Sequence, residues 1–351
     1  MKNTVVFEGH AAFESDRRLR VAGETIEAEK IFLNVGARAA TPPIEGLDEV
    51  PHLTNSSLLD LETLPEHLII LGGGYVGVEF AQMYRRFGAE VTIFDHAPRL
   101  MSSEDEDVSQ EIRAIFEAEG IEVVTGAKME RVARDGRRLR ATIGLDGERR
   151  EIAGSHFLVA AGRKPNTDDL GLETTGIDTD EKGYVRVDDR LQTGVGGVYA
   201  LGDCNGRGAF THTSYNDYEI LAANLLDGDD RKVSDRFTTY AAFIDPPFAR
   251  VGASESELRA AGRKALAARL PMTGVARARE RSETDGFMKI LVDSHTGRFL
   301  GASMLGIRCD EVVHAIVYLT YARAPYQRAV PIHPCVAELI PTMLKQLKPL
   351  E

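Results

Sequence analysis

The chain has 351 residues, 43% of them hydrophobic and 27% charged, with a formal charge of -12; this is long enough for two or three separately packed domains and too apolar for disorder. The negative balance argues against a nucleic acid or an anionic membrane as partner, since both are bound through clustered Lys and Arg. No apolar run approaches bilayer-spanning length and residues 1–3 lead into charge rather than a secretory apolar core, so a cytoplasmic address is expected.

In chain order, residues 5–13, 19–21 and 26–33 carry short alternating apolar segments between Asp-Arg and Gly breaks and read as antiparallel strands. Residues 39–46 hold Pro42 and Pro43 and read as an interdomain crossing, because proline fixes φ and removes a ladder donor. Then comes a βαβ pattern: an apolar run at 68–71, Gly72-Gly73-Gly74, a helix-periodic stretch at 75–87 and a second strand at 91–94. Ser103 and Glu106 read as a capping box before a helix that runs through 107–118, closed by Gly120. A strand at 123–124 and a meander follow, with Asp135-Gly136 and Asp146-Gly147 as hairpin turns. Residues 157–161 and 198–201 read as buried strands ending at Gly162-Arg163 and Gly202-Asp203, both candidate ligand edges. Beyond about Arg236 the pattern turns α+β, with strands at 287–292 and 299–305 and a buried helix at 311–323; the last domain boundary falls near Ser234.

Gly72-x-Gly74-x-x-Gly77 follows a buried strand, opens a helix and is answered by Asp95 at the end of the next strand. That context points to a dinucleotide. The first glycine permits the turn, the second lets backbone amides approach a pyrophosphate at the positive helix end, and the third lets helix and strand pack closely. Asp95 is placed to accept from the adenine ribose hydroxyls and to repel a 2'-phosphate, which favours NADH; Arg99 nearby keeps NADPH open. A purely structural glycine turn is the competing reading.

Four segments in order, Gly-Gly-Gly-Tyr-Val-Gly-Val-Glu-Phe at 72–80, Ala-Gly-Arg-Lys-Pro-Asn at 161–166, Val-Tyr-Ala-Leu-Gly-Asp at 198–203 and Ile-His-Pro-Cys-Val-Ala-Glu-Leu at 332–339, resemble the pyridine nucleotide-disulfide oxidoreductases. Within that family, Phe210-Thr211, residues 214–218 and Ile340-Pro341-Thr342 look most like the reactive-chlorine-resistance flavoproteins and their mercuric-reductase-like relatives. The resemblance implies an α/β fold of Rossmann-like FAD- and NAD(P)-binding domains with a C-terminal α+β dimerisation domain. Residues 1–48 and 161–233 would form a partial FAD-binding domain, 49–160 the NAD(P)-binding domain and 234–351 the dimerisation domain. It implies hydride transfer from NAD(P)H to FAD and on to a small-molecule or disulfide acceptor, in a homodimer.

On the same resemblance Asp203 binds the flavin ribityl chain, Gly202 allows close approach, Thr211 lies near the isoalloxazine, and Gly36 and Gly162 stand at flavin- and nucleotide-facing strand ends. Asp203 also reads as a helix cap or turn residue. Tyr75 matches an aromatic gate or an aromatic packed at a domain seam. Glu79, one turn on, is placed to meet the nicotinamide amide or a lysine near the flavin. His333 and Glu338 match an acid-base pair in which a carboxylate orients an imidazole that titrates near neutrality.

Cys204, Cys309 and Cys335 fit neither a disulfide framework nor a zinc cluster and read as reduced thiols. Cys335, where the family has Thr, is either a thiol activated by His333 or an inert buried one. Two family features are missing from the chain: a first Gly-x-Gly-x-x-Gly for the ADP part of FAD and the Cys-x-x-x-x-Cys redox pair. The expectation is an N-terminally truncated flavoenzyme with weakened FAD affinity and no thiol-disulfide turnover of its own. Residues 345–351 hold no cysteine pair, which argues against mercuric ion reduction. A non-catalytic nucleotide-binding and dimerisation fragment is the alternative.

Overall fold

The computed structural model describes residues 3–326 and 330–350. It divides into two compact units, Met1–Ala40 with Arg163–Arg236, and Thr41–Gly162 with Phe237–Glu351.

In the first unit, Ala11–Ser15, Arg18–Val21 and Glu24–Glu27 form an antiparallel sheet in chain order. Two of the expected strand segments change character. Residues 5–8 lie outside any strand, with Val5 and Val6 exposed. Ile31–Leu33 pairs in parallel with Val198–Ala200, not antiparallel with its neighbours. Ile31 and Leu33 point into a core with Phe13, Leu170, Val185 and Val198, while Phe32 on the opposite face stacks on Tyr199; this period-two alternation is common to both strand senses, so the pattern could not choose between them. Ala37–Ala39 pairs with Arg163–Pro165, and the helix Thr211–Ala222 follows the strand end at Gly202.

The second unit holds a parallel sheet in the order His156–Val159, His67–Leu71, Glu90–Phe94, Glu122–Val124. Its central strands are buried on both faces, as expected where helices cover a parallel sheet. The helix Tyr75–Phe87 ends at Gly88 in the left-handed region, and Glu106–Ala118 follows it in sequence. The meander Lys128–Asp135, Arg138–Leu145, Glu148–Gly154 turns at Asp135-Gly136 and Asp146-Gly147, and the positive φ of Gly136, Asp146 and Gly147 suits tight hairpins.

The expected capping box at Ser103 is replaced by another arrangement. Asp105 is the N-cap of Glu106–Ala118, and the Ser103 hydroxyl turns to Glu104. The Asp105 carboxylate is occupied elsewhere, on the amides of Glu255 and Ser256 at 3.1 Å each.

The C-terminal part of this unit is a six-stranded sheet ordered Thr239–Ala242, Phe248–Gly252, Phe299–Leu305, Phe287–Asp293, Ala265–Pro271, Lys348–Pro349. The helix Cys309–Tyr321 packs Val312, Val313 and Ile316 into its core, beginning two residues before the expected 311. Among the described residues no helix is long and apolar enough to cross a membrane, and no group of three or more His, Cys, Asp or Glu is placed to hold a metal.

Candidate functional site

Gly72 adopts φ +115, and a Cβ there would collide with the Ala160 carbonyl. At Gly77 a Cβ would overlap the Gly72 carbonyl oxygen. These two glycines let the helix Tyr75–Phe87 start directly against the strand. Gly74 is different: a Cβ would meet nothing within 4 Å. Gly74 is also the N-cap, with no side-chain cap and no acidic residue in the first helical turn. The N-terminal end of a 13-residue helix, which carries positive partial charge, therefore opens onto space at Gly74 with no side-chain cap over it, the arrangement that suits an anion. The donor set fits the pyrophosphate of a dinucleotide.

Asp95 closes the loop from the next strand. One carboxylate oxygen accepts from the Gly73 amide at 2.5 Å and the other from the Ala97 amide at 2.7 Å, with His96 Nδ1 3.0 Å away. Its side chain is 14% exposed, so an acceptor edge still reaches solvent. Arg99 directs its guanidinium to the carbonyls of Ser102 and Glu104, at 3.4 and 3.2 Å.

Tyr75 is half-buried and packs against the core of its unit. Glu79 accepts from the Phe243 amide at 2.7 Å. Burial pushes its carboxyl above the usual range, and the Phe243 hydrogen bond only partly opposes this.

In the first unit, Gly36 at φ +69 borders open space, as does Gly162 at the edge of the second unit. Gly202 does not: a Cβ would lie 2.6 Å from Ser214 Oγ and 2.9 Å from Asn34 Oδ1. Its φ of +67 and the adjacent helix both demand glycine there, so the packing reason lies within the protein. Asp203 is half-buried and accepts from Arg163 Nη2 at 3.2 Å, while Arg163 Nε is a buried donor with no partner among the described residues. Thr211 opens the helix Thr211–Ala222 and is exposed. A cleft of about 590 Å³ lies in the same unit, bordered by Gly9, His10, Val35, Arg38 and Asn166. A carboxylate acceptor for sugar hydroxyls at a strand end, a buried Arg163 Nε donor without a partner among the described residues and an open glycine backbone fit part of a flavin nucleotide.

Two residues here were not legible in the chain. Asp217 is 1% exposed and accepts from the Gly202 amide, Asn205 Nδ2 and Arg236 Nη1 at 2.8–3.0 Å, which fixes the turn that presents Asp203. Arg163 stands out in the sequence only as part of the segment at 161–166. An acid in the second turn of the helix 211–222 is the sole signal the sequence carries for Asp217.

His333 and Glu338 come together, Nδ1 to Oε2 at 2.9 Å. The imidazole side chain is 72% exposed and the carboxylate 14%, so the buried partner orients and the exposed one is accessible. All three cysteines are free; burial raises the thiols of Cys204 and Cys309, while Cys335 is half-buried and donates to the Ile332 carbonyl at 2.9 Å.

Residues 2–217 match the family model described as pyridine nucleotide-disulphide oxidoreductase, and residues 238–344 match its dimerisation domain. A protein of Escherichia coli (strain K12) described as a probable pyridine nucleotide-disulfide oxidoreductase, RclA, is 35% identical over 99% of this chain and 80% of its own length. A Staphylococcus aureus mercuric reductase is 32% identical over 88% of this chain, and 57% of that protein is covered. Among solved structures, the HOCl-induced flavoprotein disulfide reductase RclA from Escherichia coli superposes with a TM-score of 0.89 at 35% identity, covering 96% of this chain and 78% of that one. With the dinucleotide loop in place and these matches across nearly its whole length, the chain belongs to the pyridine nucleotide-disulphide oxidoreductases, a family of FAD- and NAD(P)H-dependent enzymes that dimerise through the C-terminal domain.

Proposed function

We propose that this chain is a FAD-dependent NAD(P)H oxidoreductase that prefers NADH, works as a cytoplasmic homodimer and delivers electrons to a small-molecule or disulfide acceptor. The observation that carries the reading is the uncapped helix start at Gly74 facing open space, with Asp95 on the adjoining strand end. Gly72, Gly74 and Gly77 would hold the pyrophosphate, and Asp95 the adenine ribose. Commitment of Arg99 to two carbonyls leaves Asp95 as the charged group that judges a 2'-phosphate. Asp203, Gly202, Gly36, Gly162 and Thr211 would line the flavin side, with FAD, when bound, supplying the hydride acceptor. Tyr75 and Glu79 would stand on the nicotinamide side, Glu79 meeting the nicotinamide amide or a lysine near the flavin.

His333, oriented by Glu338, would move a proton at Nε2 for the acceptor chemistry. The three-domain division at about 48, 160 and 233 is part of the same proposal.

The deciding experiment is the absorption spectrum of the purified protein between 300 and 550 nm, before and after anaerobic NADH. A flavin band that bleaches is the expected result. No band, even with added FAD, would overturn the redox reading and leave nucleotide binding alone. A second expected result concerns selectivity: Asp95→Asn removes the repelling charge and should raise NADPH affinity relative to NADH by about tenfold, equivalent to about 1.4 kcal/mol. The ratio of the two dissociation constants, by fluorescence titration, measures it; an unchanged ratio would remove Asp95 from that role.

A further inference from the structure

Residues 99–107 are held at both ends, by different parts of one unit. At one end the Met101 amide donates to the Gly73 carbonyl at 2.7 Å, and Leu100, 1% exposed, brings its Cδ2 to 2.7 Å from where a Cβ on Gly73 would sit. Met101 adopts φ +47, unusual for a residue with a side chain, and its carbonyl accepts from the Glu104 amide at 2.8 Å.

At the other end Glu104, 1% exposed, accepts from the Tyr240 hydroxyl and lies 3.4 Å from Arg250 Nη1. Asp105 and Asp107 accept from Lys289 Nζ at 2.9 and 2.8 Å. Tyr240, Arg250 and Lys289 are strand residues of the C-terminal sheet, and Arg250 and Lys289 are 4% and 1% exposed.

Buried ion pairs of this kind add little net stability over apolar packing, because desolvation offsets attraction; what they supply is directional placement. We propose that Glu104 is a positioning residue for nucleotide binding. Through Glu104, the C-terminal sheet sets residues 99–101, and through Leu100 and Met101 these set Gly73 and the amides of the 72–74 loop. The proposal deepens the reading of Gly72–Gly77 as a dinucleotide site and rests on it for its ligand, but the coupling itself is a property of the chain without nucleotide.

The test therefore has two readouts on the full chain: hydrogen exchange of the peptide containing residues 72–77 without nucleotide, and the NADH dissociation constant. Glu104→Ala is expected to speed exchange in that peptide and to weaken NADH about tenfold, or about 1.4 kcal/mol. Glu104→Gln, which keeps an acceptor for Tyr240 and Arg250, should stay near wild type in both. Ile290→Ala, in the core of the same sheet, should lower the melting temperature and leave both readouts unchanged.

Wild-type exchange in Glu104→Ala would overturn the coupling, as would an Ile290→Ala variant that reproduces its effects. If Glu104→Ala fails to fold, Tyr240→Phe removes only the hydroxyl and must move both readouts in the same direction, by less; no movement overturns the proposal. Wild-type protein that binds no NADH would remove the dinucleotide reading, while the exchange data would still decide the coupling.

Discussion

Gly77→Ala is expected to lower the stability of the protein by about 1–3 kcal/mol or more, in the range of overpacked cores, and to weaken NADH binding together with it. The added methyl would overlap the Gly72 carbonyl oxygen, and relief requires the helix Tyr75–Phe87 to lift from the strand His67–Leu71. Val78 and Ala81, both fully buried on that helix, would lose packing as it moved. Gly74→Ala is the informative companion. Gly74 has φ -78 and open space around its Cβ position, so the variant should stay within about 0.5 kcal/mol of wild type, as substitutions away from packed features do. The methyl would nevertheless enter the space assigned to pyrophosphate, and NADH should bind more weakly. Denaturant unfolding and NADH titration of both variants measure the pair; a Gly74→Ala protein with wild-type affinity would count against the pyrophosphate assignment.

Lys289→Met should cost about 3–5 kcal/mol in denaturant unfolding at neutral pH, the range for removing one partner of a buried ionic cluster. Its ammonium faces Asp105, Asp107 and Glu255 at 2.8–3.3 Å, and methionine would leave those carboxylates without their central cation. Burial opposes the charge of Lys289, but the hydrogen bonds to Asp107 and Asp105 outweigh it and raise the ammonium above its ordinary 10.5. A raised folded value means that this contribution is fully present below the unfolded value and is lost as pH rises through the folded one.

Asp105 behaves oppositely. Burial raises it, Lys289 and the two amides together lower it by more, and the net direction is down from 3.8. Its contribution is present above that value and is lost as pH falls through the lowered one. Wild-type stability should therefore hold across neutral pH and fall at both extremes, and Lys289→Met should flatten the alkaline fall. A variant as stable as wild type at pH 7 would show that the cluster is better solvated than its burial implies.

The parts that sequence reading reached share one property: each is written within a short stretch of chain. The strand-glycine-helix signature at 68–87, the Asp-Gly turns of the meander and the His333 to Glu338 spacing depend on neighbours a few residues away, and steric demands of that kind show in the residue types. The capping box at Ser103 misled because the local pattern met a tertiary competitor. Asp105 serves the amides of Glu255 and Ser256, about 150 residues on, and the helix start shifted with it. Lys289 sits in the run Phe287–Asp293, where five apolar residues announce a buried strand and the single cation announces nothing.

From residue order alone came the family, the dinucleotide loop and the identities of the candidate acid-base pair, because those require particular side chains at fixed local spacing. Tertiary structure decided that Ile31–Leu33 pairs in parallel with Val198–Ala200, that Gly202 is glycine to admit Ser214 and Asn34, that Asp217 holds the turn at Asp203, and that Glu104 and Lys289 are buried charges. A charged residue read alone belongs in water, and only partners brought from distant parts of the chain can make its burial tolerable.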